Sequence, residues 1–264
     1  MATITNALRM VEADYINYRR TWRGRIISTF LNPVLFLAGM GLILGSMVDR
    51  GAGEAQLPIP FLTFVATGLI AATAMQTGFG EGAWPIMAGI KWRKTFDAII
   101  VTPLSVADLV NGLLVWGGIH LAIASGVFAV LSAIFGALEL GPALLSVLPA
   151  TFGGLAFQAA ATAFSARLED DTHLTNAYRF VILPLFLFSG TFFPVSQLPD
   201  WLEPVAVATP LFHAVELTRK VAIPGVGAPV VTTVPTWVNV AYLAVMTAVA
   251  WLLAIRSMRG RLQK

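Results

Sequence analysis

The chain alternates between long apolar runs and short charged segments. Six runs stand out: Ile26–Val48, Pro60–Gly80, Leu109–Phe135, Pro142–Phe164, about Asn176–Val195 and Trp237–Ile255. A bilayer core takes about 20 residues of apolar helix, so each run predicts a spanning helix. Asp, Glu, Lys and Arg are missing from the first four and the sixth. The fifth carries Arg179 near its start and encloses Pro184 and Pro194; proline is tolerated in a membrane helix where neighbours satisfy the freed carbonyl. Ahead of the runs, Ile4, Leu8, Val11, Tyr15, Tyr18 and Trp22 recur at helical spacing, with Arg9, Arg19, Arg20, Arg23 and Arg25 on or beyond the other faces. That pattern predicts an amphipathic helix within residues 1–25. It either lies at the membrane interface, with its aromatics at headgroup level, or packs on protein.

Two connections are more than loops. In Glu81–Asp108, Trp92, Phe96, Ile99 and Ile100 share a helical face, surrounded by Lys91, Arg93, Lys94 and Asp97, and Pro103 ends the pattern. This predicts a short amphipathic helix. Ser196–Thr236 keeps large apolar side chains between Pro199, Pro204 and Pro210. It predicts two short helices, Gln197–Ala208 and Leu211–Arg219, with Trp201, Leu202, Val205, Leu211 and Val215 facing protein or lipid. Such bent backbone survives at membrane depth only where protein or water satisfies its polar groups. The fold class is therefore all-α membrane protein with six transmembrane helices. To these it adds an N-terminal interfacial helix, a cytoplasmic helix between spans two and three, and external re-entrant helices between spans five and six.

Composition agrees. Charged residues make up 12% of the 264, about half the share usual in a soluble domain, and mean hydropathy is +0.77. Of the 17 Lys and Arg, all but Arg50, Arg219 and Lys220 fall on the side of the N-terminus when six spans are threaded. Basic loops stay cytoplasmic, so both termini are expected inside a cell membrane. Residues 1–264 read as one transmembrane domain, with a core at 26–255 and a tail at 256–264. The chain has no cysteine, which excludes disulfides and thiolate sites.

Catalytic chemistry is sparse. No G-x-x-x-x-G-K-[ST] occurs, so no phosphate-cradling loop is present. His173 and His213 fall on opposite sides and cannot share a metal. The acidic run Glu169–Asp171 reads as a solvated loop face, and no basic patch suggests nucleic acid. Glu81, just past Gly80, is either a functional carboxylate or one that reaches water or an arginine. His120 is the one titratable group well inside a predicted span, with no Asp, Glu or Lys expected at its depth. It is either bonded to a neighbouring helix or part of a proton relay, and Gln158 reads as a helix-to-helix hydrogen bonder. Gly41/Gly45 and Gly78/Gly82 are small-residue pairs suited to close helix packing.

FLFSGTFFPVSQLP, followed by TPLFHAVELTR, resembles the signature of ABC-2 transporter permeases, and most closely the branch of nodulation-factor and daunorubicin-type exporters. RKTFDAIIVTPLS resembles that family's coupling segment. The resemblance implies a permease that works as a homodimer or with a close relative, among membrane lipids, and is powered by separate ATP-binding cassette subunits. ATP and Mg would sit on those partners, with no cofactor or metal on this chain. It implies that Trp92 and Phe96 anchor the ATPase contact with Arg93 and Asp97 at its rim. The cargo would be a lipid, a lipid-linked glycan such as a lipo-oligosaccharide, or a drug. Glu81, Phe186, Phe188, Ser189, Phe192 and Phe193 are candidates for the route or gate, although the phenylalanines could equally face lipid. Two other classes remain open. A secondary carrier would need intramembrane ionisable groups, and a membrane-embedded glycan or lipid transferase would need clustered carboxylates or histidines at one face.

Overall fold

The computed structural model describes residues 9–12, 14–16, 18–19, 30–45, 57–228, 230–232 and 234–263. Parts of the predicted N-terminal helix (Ile4, Leu8, Arg20, Trp22, Arg23, Arg25), both ends of the first span and Arg50 lie outside the described residues. The regular structure of the described residues is all helical, without strands. Residues 9–12, 14–16 and 18–19 are helical, followed by α1 over residues 30–45. Next come α2 (Phe61–Trp92), α3 (Thr95–Ile100), α4 (Val106–Ile134) and α5 (Leu140–Ser165). A continuous helix over residues 172–188 is α6. It is followed by α7 (Glu203–Val207), α8 (Pro210–Ala222) and α9 (Thr236–Leu262).

Four of these, α2, α4, α5 and α9, are long and apolar enough to cross a membrane. Of the first run, the described residues form α1. The fifth run starts earlier than the apolar pattern suggests and stops at Phe188, where Ser189 and Gly190 turn the chain with Gly190 at φ +83°.

Helix α2 is the hub, with 72% of its apolar window buried against 22% for α9. It packs on α5, α4, α8 and α1, while α9 packs on α5. In lipid no hydrophobic force draws helices together, so association depends on how closely backbones approach. A Cβ added at Gly78 would stand 2.3 Å from the Gly154 carbonyl oxygen, and one at Gly82 would stand 2.2 Å from that of Gln158. The Gly78/Gly82 pair is thus the intrachain α2–α5 seam.

That seam corrects the predicted end of span two. The apolar run stops at Gly80, but the helix continues along α5 through Gly82 and Pro85 to Trp92. The predicted amphipathic helix is cut in consequence. Trp92 ends α2, Lys94 takes a left-handed backbone at φ +51°, and Phe96 belongs to the separate α3. Trp92 and Phe96 therefore do not share a helical face. Helix α4 begins with a capping box: the Ser105 hydroxyl accepts from the Asp108 N–H at 3.1 Å, and Asp108 Oδ2 accepts from the Ser105 N–H at 3.1 Å. This satisfies two orphan donors of the helix start and explains a buried aspartate there.

Candidate functional site

At the basic end of the bundle, α3 folds back on α2. The Phe96 ring covers Gly89, where a Cβ would lie 2.4 Å from the ring. Phe96 is 5% exposed and packs with Ile86, Val106 and Met258. Trp92, Arg93 and Asp97 are exposed, and the outward tip of the turn is Val101 at 84% exposure. Of the four predicted coupling residues, three face outward and one holds the turn in place.

The acidic run is exposed, as the sequence predicts, and Glu169 also makes a clasp there. The Glu169 carboxylate accepts from both terminal guanidinium nitrogens of Arg261, and its Oε2 lies 3.6 Å from Lys91 Nζ, whose ammonium also donates to the Glu169 carbonyl. This ties the ends of α2 and α9 to the loop after α5. Hydrogen bonds and charge from Arg261, then Lys91, hold the Glu169 carboxyl well below its ordinary value, at about 2.

Continuation of α2 past Gly80 brings Glu81 against α4. Its Oε1 lies 2.9 Å from His120 Nδ1, and both side chains are largely buried. The expectation that no acid shares the depth of His120 is therefore overturned; the spacing of two distant helices set this pair, and no local pattern marks it. Gln158 does bond to a neighbouring helix, donating to the Leu113 carbonyl at 2.9 Å through space left by Gly117.

At the other end, Arg219 on α8 is 2% exposed. It donates to the carbonyls of Gly190 at 3.0 Å, Phe64 at 3.2 Å and Val230 at 3.4 Å and to Thr67 Oγ1 at 3.2 Å, and its guanidinium stacks 3.9 Å from the Phe64 ring centroid. One side chain thus fastens α2, the Ser189–Gly190 turn, α8 and the segment before α9. Sequence reading counted Arg219 only as an external charge. Helix α8 starts at Thr209, whose hydroxyl accepts from the Phe212 N–H at 3.3 Å and lies 2.9 Å from the Ser189 hydroxyl. Leu211 and Val215 are buried as expected, while Trp201 and Val205 are exposed at 73% and 57%.

The route candidates divide. Phe186 and Phe192 are buried and meet edge to face at 4.9 Å. Ser189 is buried, Phe193 is partly buried and Phe188 is exposed. Phe186 and Phe36 border a cavity of about 170 Å³ between α1, α2, α4 and α6, into whose wall Asn32, Thr73, Gln76 and Thr77 bring polar groups. Sequence reading missed that polar turn of α2; Thr73, Gln76 and Thr77 at helical spacing were its signal. Among the described residues no three His, Asp or Glu side chains gather as a metal site.

A bundle of long apolar helices with charge clustered at one end defines a multi-pass membrane protein. The chain belongs to the ABC-2 type transporter family, whose model matches residues 6–223. It is similar to Nodulation protein J of Rhizobium meliloti (strain 1021), at 26% identity over 226 residues, 86% of this chain and 83% of that one. Similarity to Nodulation protein J of Sinorhizobium fredii (strain NBRC 101917 / NGR234) is 28% over 215 residues, 81% and 80% of the two chains. Similarity to the inner membrane transport permease YadH of Escherichia coli (strain K12) is 23% over 262 residues, 95% of each.

Proposed function

We propose that this chain is the transmembrane half of an ATP-driven exporter of amphiphilic or hydrophobic molecules: lipids, lipid-linked glycans or drugs. The family match over residues 6–223 carries the reading. In it, residues 1–264 form one transmembrane domain, α1 and α6 are spans one and five of six, and α7 and α8 form the re-entrant pair. The basic end, with Lys91, Arg93, Lys94 and Arg261, faces the cytoplasm. The assembly contains two such permeases, identical or closely related, and separate ATP-binding subunits that hold ATP and Mg. The exposed Trp92, Arg93, Asp97 and Val101 meet the ATPase, and Phe96 sets the angle of their turn. The cargo passes the cavity beside Phe36 and Phe186, where Thr73, Gln76 and Thr77 can bond a polar headgroup, and leaves past Phe188, Ser189, Phe192 and Phe193.

Co-purification with a P-loop ATPase, followed by ATP hydrolysis assays in lipid with added amphiphiles, tests the reading. Substrate-stimulated hydrolysis supports it. A chain that recruits no ATPase and moves cargo along a proton gradient would establish the carrier reading, which the Glu81–His120 pair favours.

A further inference from the structure

The described N-terminal residues present Met10, Asp14 and Tyr18 on one helical face, one turn apart. Met10 is buried among Ile86, Val110 and Met258. The Tyr18 ring lies 5.0 Å from that of His120 and 5.8 Å from Trp116, and Trp116 lies 4.7 Å from His120. Between these two packing residues the chain places a carboxylate. Asp14 Oδ2 is buried without a hydrogen-bond partner, as is His120 Nε2. An apolar side chain would serve packing better, because an ionised carboxylate in such a place loses its water without gaining a partner.

The charges that act there come from three elements: Asp14 from the N-terminal segment, Glu81 from α2 with Arg93 just beyond it, and His120 from α4. Glu81 bonds the imidazole directly, and Asp14, one turn before the Tyr18 that touches the same ring, comes in from the N-terminal side, so both acids ionised would repel each other. We propose that Asp14, Glu81 and His120 form a proton-binding latch that holds the N-terminal helix on α2 and α4 when protonated and frees it when deprotonated. A protonated Asp14 adds no charge beside the Glu81–His120 pair. Loss of the Asp14 proton adds a negative charge on the side of Glu81, which drives the helix toward water. Burial, then the nearby Glu81, push the Asp14 carboxyl above its ordinary value, against the smaller opposite pull of His120 and Arg93. A group whose docked pKa is raised binds its proton more tightly when docked. Docking is thus strongest at low pH and weakens as pH rises from the ordinary carboxylate value through the raised one.

The absence of cysteine makes the test direct. Met10→Cys reports release of the helix and Val101→Cys serves as an always-exposed reference, both labelled with a water-soluble maleimide in nanodiscs. The ratio of the two labelling rates should rise roughly threefold to tenfold between about pH 4.5 and about pH 8. Asp14→Asn should flatten the ratio at its low value. Glu81→Gln should keep the helix docked to higher pH and His120→Gln should release it at lower pH, opposite directions that a merely structural role does not produce. Hydrogen exchange of residues 9–19 in the unaltered chain, corrected for intrinsic rate, provides a second measurement. A ratio independent of pH, or a profile that survives Asp14→Asn, overturns the latch.

Discussion

Arg219 offers the most demanding test of the packing argument. Its guanidinium is 2% exposed and makes four hydrogen bonds to three segments of chain. A hydrogen bond from a charged group contributes about 1.5–3 kcal/mol, and cutting a buried ionic network by removing one partner costs about 3–5 kcal/mol. Arg219→Met keeps the volume and removes every donor, so it should cost at the upper end of that range. Arg219→Lys keeps the charge but loses the planar fork that reaches separate carbonyls, and should cost about half as much. Apparent melting temperature in nanodiscs, by intrinsic fluorescence, should fall by roughly 10 °C for Arg219→Met. Glu216 stands one turn earlier on α8; its Oε1 accepts from the Thr232 N–H at 2.9 Å and its Oε2 lies 3.5 Å from Lys220. Arg219→Met leaves it without its arginine neighbour, so the double variant Glu216→Met/Arg219→Met should lose less than the two single losses added together. A melting temperature for Arg219→Met within about 2 °C of the parent would refute the claim that this side chain fastens the bundle.

Gly154→Val should prevent accumulation of folded protein, because its Cβ would meet Leu121 Cδ2 at 2.2 Å and the Ala74 carbonyl oxygen at 2.7 Å; size-exclusion of the detergent extract checks this. Trp92→Ala and Val101→Asp should leave stability unchanged and cut ATPase association more than tenfold, a loss of about 2 kcal/mol. Phe96→Ala should cost about 3–5 kcal/mol of folding stability instead, so thermal melts beside pull-downs separate the two roles. Glu169→Gln should lower the melting temperature at neutral pH. The Glu169 carboxyl is depressed on folding from 4.5 to about 2, so the contribution is present above pH 4.5 and lost as pH falls toward 2. The difference from the parent should shrink over that window; a difference that grows on acidification would exclude the Arg261–Lys91 clasp.

Chain periodicity by itself determined the class of the molecule. Residues with no water to bond must form helices of bilayer length, and low charge with clustered Lys and Arg marks which segments cross. The signature from Phe186 to Arg219 carried the family because its polar and small residues hold fixed places in the turn it builds, Ser189 against Thr209 and the Gly190 carbonyl under Arg219. What tertiary structure alone decided is where helices end and which distant groups meet. The apolar run ends at Gly80, yet α2 lies along α5, whose approach makes glycine necessary at 78 and 82, and continues to Trp92. That extension of α2 turned Glu81 from a loop residue into the partner of His120. It also separated Trp92 from Phe96 by the left-handed turn at Lys94, and so put one ring outside and the other within. Local sequence encodes the period of each helix; the depth at which two helices cross depends on side chains many residues apart, and only the packed bundle fixes it.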